Sequence, residues 1–357
     1  MEQFEHAMGM LDLMHTPAFC VQGGHIVKVN PAASAFMIEP GTDVQTLLHT
    51  GAEEYTNFRD GCLYLTLSIA GHTLGASVTR MQEFDVFCME QDETDPHLQA
   101  LALAARELRE PLSNVMTIAN KLFASELDST AQEQAAHMNR GFFQMLRILN
   151  NMSDANRYAT DNGSQQEMRN ISALMDEIFS RAAALTEHAH ITLTYSGYPE
   201  SVYTLADYQK LERMVFNILS NAIKYTPAGG SVTAKLTRRG NKMYLSLWDN
   251  GCGIAENQRS SVFSRYTREA SVEDSRNGLG LGMALVRSIA TAHKGTVLID
   301  HPEGSGTRIT VSLSIRQGDA TLRSPRLRVD YAGERDHGLI ELADVLPAHL
   351  YAPDITN

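Results

Sequence analysis

Cysteine is scarce and scattered. Cys20, Cys62, Cys88 and Cys252 are the four in 357 residues and include no CxxC pair, which points away from a disulfide framework or a zinc site and toward buried, reduced thiols. Basic residues are in deficit. With 30 Lys and Arg against 42 Asp and Glu, the formal charge is -12, so the chain lacks the cations that displace counterions from nucleic acid. No apolar run approaches the roughly 18 residues that mark a membrane-spanning helix. The start MEQFEHAMGM lacks the basic residues and apolar stretch of a signal peptide. These absences predict a cytoplasmic protein with no nucleic-acid partner and no membrane span. The rest of the composition, 43 % hydrophobic and 20 % charged, is ordinary for a soluble chain with room for two or three domains.

From about Leu13 to Glu90, short apolar runs (AFCV, HIVKV, LYLTLSIA, LGASVTRM, DVFCM) alternate with turn residues and predict a small antiparallel sheet. Its order is two strands, a break at Asn30 and Pro31, short helices and three more strands. After Asp92 the period changes. Leu98, Leu101, Ala105, Leu108, Leu112, Val115, Ala119 and Leu122 form a heptad seam, and Ala131, Ala135, Met138, Phe142, Met145, Leu149 and Met152 form a second. Between them Ser129 and Gln132 have capping-box spacing. The two seams predict an antiparallel hairpin of helices about thirty residues long. One hairpin buries one stripe, so a second copy completing a four-helix bundle is the natural cover for the other. ATDNGSQQE at 159–167 reads as a linker, and beyond it helix and strand patterns mix to about Arg316, as in an α/β sandwich. The last stretch, RSPRLRVDYAGERDHGLIELADVLPAHLY, holds two short apolar runs that the sequence does not place. The expected fold class is therefore α+β multidomain, with units at 1–92, 93–160, 161–316 and 317–357.

Four segments of the third unit carry chemistry. In FNILSNAIKYTP, Asn217 and Asn221 lie four apart on one helix face with Lys224 beside them. Two amides and an ammonium can hold a hydrated Mg²⁺ and phosphate oxygens while supplying no proton acceptor. LSLWDNGCGI is a strand running into Asp249, Gly251 and Gly253. A carboxylate there can accept from an exocyclic amine, and glycines let the backbone approach a flat base. GLGLG at 278–282 opens an apolar helix, turning backbone N–H groups toward phosphates. GSGT at 304–307 precedes a final strand and offers the Thr307 hydroxyl behind the base.

In order, spacing and context this set resembles the N, G1, F, G2 and G3 boxes of sensor histidine kinases, the F box being Val262, Phe263, Ser264, Arg265 and Tyr266. The resemblance implies ATP and Mg²⁺ as cofactors, within a superfamily that includes gyrase and MutL. Asp249 would contact adenine, and Asn217 and Asn221 would serve the metal and the phosphates. Lys224, Tyr225, Gly251, Gly253, Phe263, Gly278, Gly280, Leu281, Gly282 and Thr307 would complete the cofactor-binding set, with an ATP lid inside 263–282. The helical hairpin then looks like a dimerisation and phosphotransfer domain, and the N-terminal sheet like a PAS sensor. Implied partners are a second histidine kinase chain, as homodimer or heterodimer, and a response regulator. Superfamily members that hydrolyse ATP or phosphorylate serine carry a Glu general base four residues before the second asparagine; here Asn217 stands there. An amide takes no proton at neutral pH, which implies a nucleophile needing less help, such as a neutral imidazole.

The family's phosphoacceptor box reads His-Glu-Leu-Arg-x-Pro-Leu. LAARELREPLSNV supplies Glu107, Leu108, Arg109, Pro111 and Leu112, so Arg106 takes the acceptor position, with Glu107 the second residue at the catalytic position. A guanidinium stays protonated and has no free lone pair, so Arg106 cannot accept a phosphoryl group. Its simpler role is an exposed surface pair with Glu110. His97 falls on the opposite helix face, and His137 lies on the second helix roughly 15 Å along the axis, so neither replaces it well. His188 and His190 in EHAHI would share a strand face but lack a third metal ligand. The sequence thus predicts an ATP-binding protein of two-component signal transduction that does not autophosphorylate at the usual site and acts in trans or as a pseudokinase. Its alternatives are an active autokinase using another residue, and a nucleotide-controlled interaction module without phosphoryl transfer.

Overall fold

The structure, a computed structural model, describes residues 9, 11–81, 84–90, 96–124, 127–160, 166–255, 258, 262–263, 280–301, 305–317 and 335–353. The N-terminal region holds β1 (Ala18–Gln22), β2 (His25–Val29), α1 (Pro31–Ser34), β3 (Leu48–Thr50), α2 (Ala52–Asn57), β4 (Cys62–Ile69), β5 (His72–Arg80) and β6 (Asp85–Met89). The break foreseen at Asn30 is a helix cap: its Oδ1 accepts from the N–H of Ala33 at 2.9 Å and from that of Ala18 at 3.0 Å. Alternate residues Leu63, Leu65 and Leu67 of β4 join Phe19, Phe87 and Val78 in a core of its own.

The hairpin is α3 (Pro96–Phe123) and α4 (Ser129–Thr160). Its start is capped differently from expectation. Asp128, rather than Ser129, accepts from the N–H of Ala131 at 2.7 Å, because the carboxylate one residue earlier already reaches that donor. Each heptad seam splits in two. Ala105, Leu112 and Ala119 share a core with Phe142 and Leu149, whereas Leu108, Val115, Leu122, Met138 and Met145 are exposed. Arg106 and Glu110 are both exposed, and among the described residues no ion pair joins them; two exposed, long side chains gain too little in water to hold one geometry.

The remaining elements are β7 (Glu167–Asn170), α5 (Ile171–His188), β8 (Thr192–Ser196), β9 (Tyr203–Ala206), α6 (Tyr208–Tyr225), β10 (Ser231–Arg239), β11 (Lys242–Asp249), α7 (Gly282–Ala292), β12 (Val297–Asp300), β13 (Arg308–Ser314) and α8 (His337–Glu341). EHAHI is not a strand. His188 ends α5 and His190 sits in a turn at φ +57°, so the two rings share no strand face. In α6 the apolar positions Leu211, Met214, Val215, Ile218 and Leu219 recur at helical spacing and are completely buried, each worth roughly 1.5–3 kcal/mol of transfer free energy.

Among the described residues eleven strands make one sheet, in the order β2-β1-β6-β5-β4-β12-β13-β11-β10-β8, with β3 beside β4. The junction is the antiparallel pairing of β4 with β12, Leu63 opposite Leu298. Across it the Glu54 carboxylate accepts from Lys242 at 2.7 Å and Tyr244 at 3.0 Å, and Glu90 pairs with Arg287.

Residues 335–353, which the sequence left unplaced, form a strap. Asp336 caps α8 by accepting from Leu339 N–H at 3.0 Å, and Ile340, Leu342, Ala343, Leu346 and Tyr351 join the main core. The strap lies between α4 and α6. No described helix is long and apolar enough to cross a membrane.

Candidate functional site

A cavity of about 360 Å³ opens between α6, the end of β11, the start of α7 and α4. That volume is within the range of small-molecule sites, roughly 300–1,000 Å³. At one end is Asp249, whose Oδ1 accepts the N–H groups of Gly251 at 2.9 Å and Thr307 at 3.2 Å. Burial raises the Asp249 carboxyl above the usual carboxylate range, and these two N–H donors oppose the rise. The glycines nearby are obligatory. A Cβ on Gly251 would come within 2.4 Å of the Tyr225 carbonyl, and one on Gly306, at φ +99°, within 1.8 Å of the Asp249 carbonyl.

At the other end α6 presents Asn217, Asn221 and Lys224 on one face, beside Gly280, Leu281 and Gly282. Asn217 is buried and donates Nδ2 to the Arg213 carbonyl at 2.9 Å, which leaves its amide oxygen toward Gly282. A Cβ on Gly282 would stand 3.1 Å from that oxygen. Helix α7 starts at Gly282 with Leu281 as its cap, and among the described residues no side chain caps its first N–H groups. Those donors are thus open to an acceptor from the cavity. Tyr225, Gly253 and Thr307 complete the predicted residues on the wall.

Several predicted residues fall elsewhere. Gly251 orients Asp249 from behind and does not line the cavity. Phe263 is buried with its ring 5.6 Å from that of Tyr64 on β4, an apolar contact that draws it into the core, while its neighbour Val262 reaches the wall. Gly278, Ser264, Arg265, Tyr266 and most of the segment read as a lid lie outside the described residues. Arg106 and Glu107 are exposed on α3 and contribute nothing to the wall. Cys252 departs from the buried-thiol expectation: it is exposed and lines the cavity, as the turn through Gly251 and Gly253 carries it outward. Among the described residues no cluster of His, Cys, Asp or Glu could hold a metal, so any metal there would rest on amide oxygens and the ligand.

Other wall residues were missed. Arg147, Ile148 and Asn151 come from α4, and Asp344 from the C-terminal strap. Arg147 occupies no recognisable motif, and the strap carries none, so only the tertiary arrangement reveals them. The same elements build a buried ionic cluster: Arg213 donates to Glu341 at 3.0 Å and to Asn151 at 2.8 Å and pairs with Asp154, while Glu212 accepts from Arg181 at 2.5 Å and binds His337 at 2.7 Å.

Residues 206–317, which contain Asp249, the asparagine face and the glycine-opened helix, match the family described as Histidine kinase-, DNA gyrase B-, and HSP90-like ATPase. Sensor protein kinase PmrB of Pseudomonas aeruginosa is 31 % identical over 227 residues, 61 % of this chain and 46 % of PmrB. Sensor histidine kinase WalK of Bacillus subtilis is 28 % identical over 235 residues, 64 % of this chain and 38 % of WalK. Histidine kinase P4 of Formosa agariphila is 28 % identical over 179 residues, 49 % of this chain and 13 % of that protein. The chain thus spans less than half the length of each of these relatives. The crystal structure of full-length ShkA in complex with AMPPNP superposes with a TM-score of 0.50 at 21 % identity, over 62 % of this chain and 47 % of ShkA, a likeness of fold. The chain carries a histidine kinase-, DNA gyrase B- and HSP90-like ATPase domain and resembles the sensor histidine kinases.

Proposed function

We propose that the chain binds Mg²⁺ and ATP in this cavity and acts as a dimeric, PAS-containing signalling protein that does not autophosphorylate at its acceptor position. The observation that carries this reading is a contrast. Asp249, Asn217, Asn221, Lys224 and Gly280–Gly282 converge on one wall, whereas the acceptor position holds an exposed Arg106 outside it. Oδ2 of Asp249 is the acceptor for an exocyclic amine, since Oδ1 is taken by two backbone donors. The amide oxygens of Asn217 and Asn221 are the atoms to hold Mg²⁺, and the open N–H groups of α7 and the Lys224 ammonium are the phosphate donors. With an amide at Asn217 in the place of a carboxylate, that position cannot take a proton from water, so slow turnover follows.

The strand order β2-β1-β6-β5-β4 with short helices between supports the PAS-like reading of 1–92. Half-exposed heptad residues on both hairpin helices support dimerisation through 93–160, with a second copy or another histidine kinase, and 161–316 is the catalytic-domain counterpart. On this reading the dimer signals to a response regulator through nucleotide-dependent contacts or by acting in trans. The test is incubation of the purified chain with Mg²⁺ and γ-labelled ATP, with binding measured in parallel. Binding without acid-labile label is expected. Acid-labile label on this chain would replace the reading with an autokinase using another residue, and absence of any binding would overturn it.

A further inference from the structure

We propose that Arg147 is the residue by which this cavity distinguishes a nucleoside triphosphate from a diphosphate, and that the Asp344 carboxylate occupies its guanidinium until the triphosphate displaces it. The inference rests on the nucleotide reading of the site.

Arg147 reaches the cavity from the hairpin helix α4, outside the segments that resemble nucleotide motifs. It is nearly buried, and it is anchored at the asparagine end: Nη2 donates to Ser220 Oγ at 3.0 Å, and Ser220 lies between Asn217 and Asn221 on α6. Its Nη1 pairs with Asp344, which also lines the cavity. The remaining donor is poorly served. Nε stands 3.9 Å from Oε2 of Glu341, and among the described residues neither atom has a hydrogen-bond partner. A guanidinium offers a planar fork, and here one carboxylate oxygen and one hydroxyl fill it incompletely. A terminal phosphate brings three acceptor oxygens and more negative charge to the same end of the cavity, so it is the better occupant. A diphosphate ends one phosphate short of that position.

Asp344 can yield without the strap coming apart. Its side chain is partly exposed, while the segment is held by other atoms: Arg140 donates to the carbonyls of Ala343 and Asp344 at 3.0 Å each, and Asn139 to that of Tyr351 at 3.0 Å. The carboxylate therefore serves as an internal stand-in for phosphate. By reciprocity, triphosphate binding loosens the strap by the factor by which the strap weakens triphosphate binding.

The experiment is calorimetric titration of the full chain and of Asp344→Asn, Arg147→Gln and Arg147→Lys with Mg²⁺-ATP and Mg²⁺-ADP. Asp344→Asn is expected to tighten ATP about ten-fold and leave ADP unchanged, whereas Arg147→Gln weakens ATP to the level of ADP. Arg147→Lys, which keeps the charge and loses the fork, falls between. Unchanged ADP binding reports that each variant is folded. Amide exchange across 337–351 should rise with ATP and not with ADP. ATP and ADP shifting together, or neither shifting, would overturn this inference and leave the nucleotide site standing. If the unaltered chain binds neither nucleotide, both fall.

Discussion

Arg213 on α6 donates from Nε to Oε1 of Glu341 on α8 at 3.0 Å, with side-chain exposures of 2 % and 0 %. The guanidinium also holds Asn151 and Asp154 of α4, so one buried cation ties the hairpin, the ATPase-like domain and the C-terminal strap together. Removing Glu341 takes from the buried guanidinium its most deeply buried carboxylate. Glu341→Ala should therefore destabilise the fold by roughly 3–5 kcal/mol, read as a lower denaturant midpoint. The paired replacement Arg213→Met with Glu341→Leu should cost less, because the carboxylate it leaves without the cation, Asp154, is less buried than Glu341. Equal losses would show that packing volume, and not charge, sets the effect.

At the Asp249 end of the cavity the proposed base contact rests on one carboxylate. Asp249→Asn keeps an oxygen for the N–H groups of Gly251 and Thr307 but turns its other atom into a donor facing a donor. ATP affinity should fall about 100-fold, the equivalent of 2–3 kcal/mol for an unmatched buried polar group, with stability little changed. Titration of both proteins with ATP checks it. An unaltered affinity would place the base elsewhere.

The cavity's two ends were legible in the sequence because each is a local motif: an i, i+4 pair on one helix, a carboxylate at a strand end, glycines before a helix. Asn217, Asn221, Lys224, Asp249, Gly280–Gly282 and Thr307 line one cavity. Phe263 departs from its motif position because a motif says nothing of what lies across from it, here Tyr64 of another unit. The strap was illegible for a related reason. Its side chains find partners about 200 residues away, such as Arg147 with Asp344, and neither partner carries a periodic or motif signal. The heptads specify two helices, yet the division of each seam into a buried and an exposed stripe is set by the packed pair.

His293 makes stability depend on pH. Its Nδ1 donates to the Ile289 carbonyl at 2.8 Å and its Nε2 accepts from the Asp207 N–H at 3.1 Å, so the buried ring is fixed neutral. Burial, reinforced by Arg316 and Lys210, pushes its pKa down to about 4 from 6.5. Above pH 6.5 the ring is neutral in both states and contributes no slope. Below it the unfolded chain takes up a proton that the folded chain refuses, so stability falls as pH falls, by roughly 3 kcal/mol in total by pH 4. His293→Gln can keep both hydrogen bonds without titrating. The difference in unfolding free energy between the two proteins should carry this slope between pH 6.5 and 4, and a flat difference would remove His293 from the account.

The exposed heptad stripe gives the last prediction. Val115 and Leu122 are 52 % and 64 % exposed in the single chain, and Met145 faces water on the neighbouring helix. Isolated apolar residues on a surface need no cover, but these repeat every seven residues on two adjacent helices, the pattern of a bundle lacking its other half. A second hairpin would bury them at about 25 cal/mol per Å² of apolar surface. Val115→Lys with Met145→Lys should therefore convert a dimer to a monomer in sedimentation equilibrium, with helix content and ATP affinity retained, because neither residue touches the cavity. Persistence of the dimer would move the interface off this stripe. A monomeric unaltered chain would mean that a second copy does not cover this stripe.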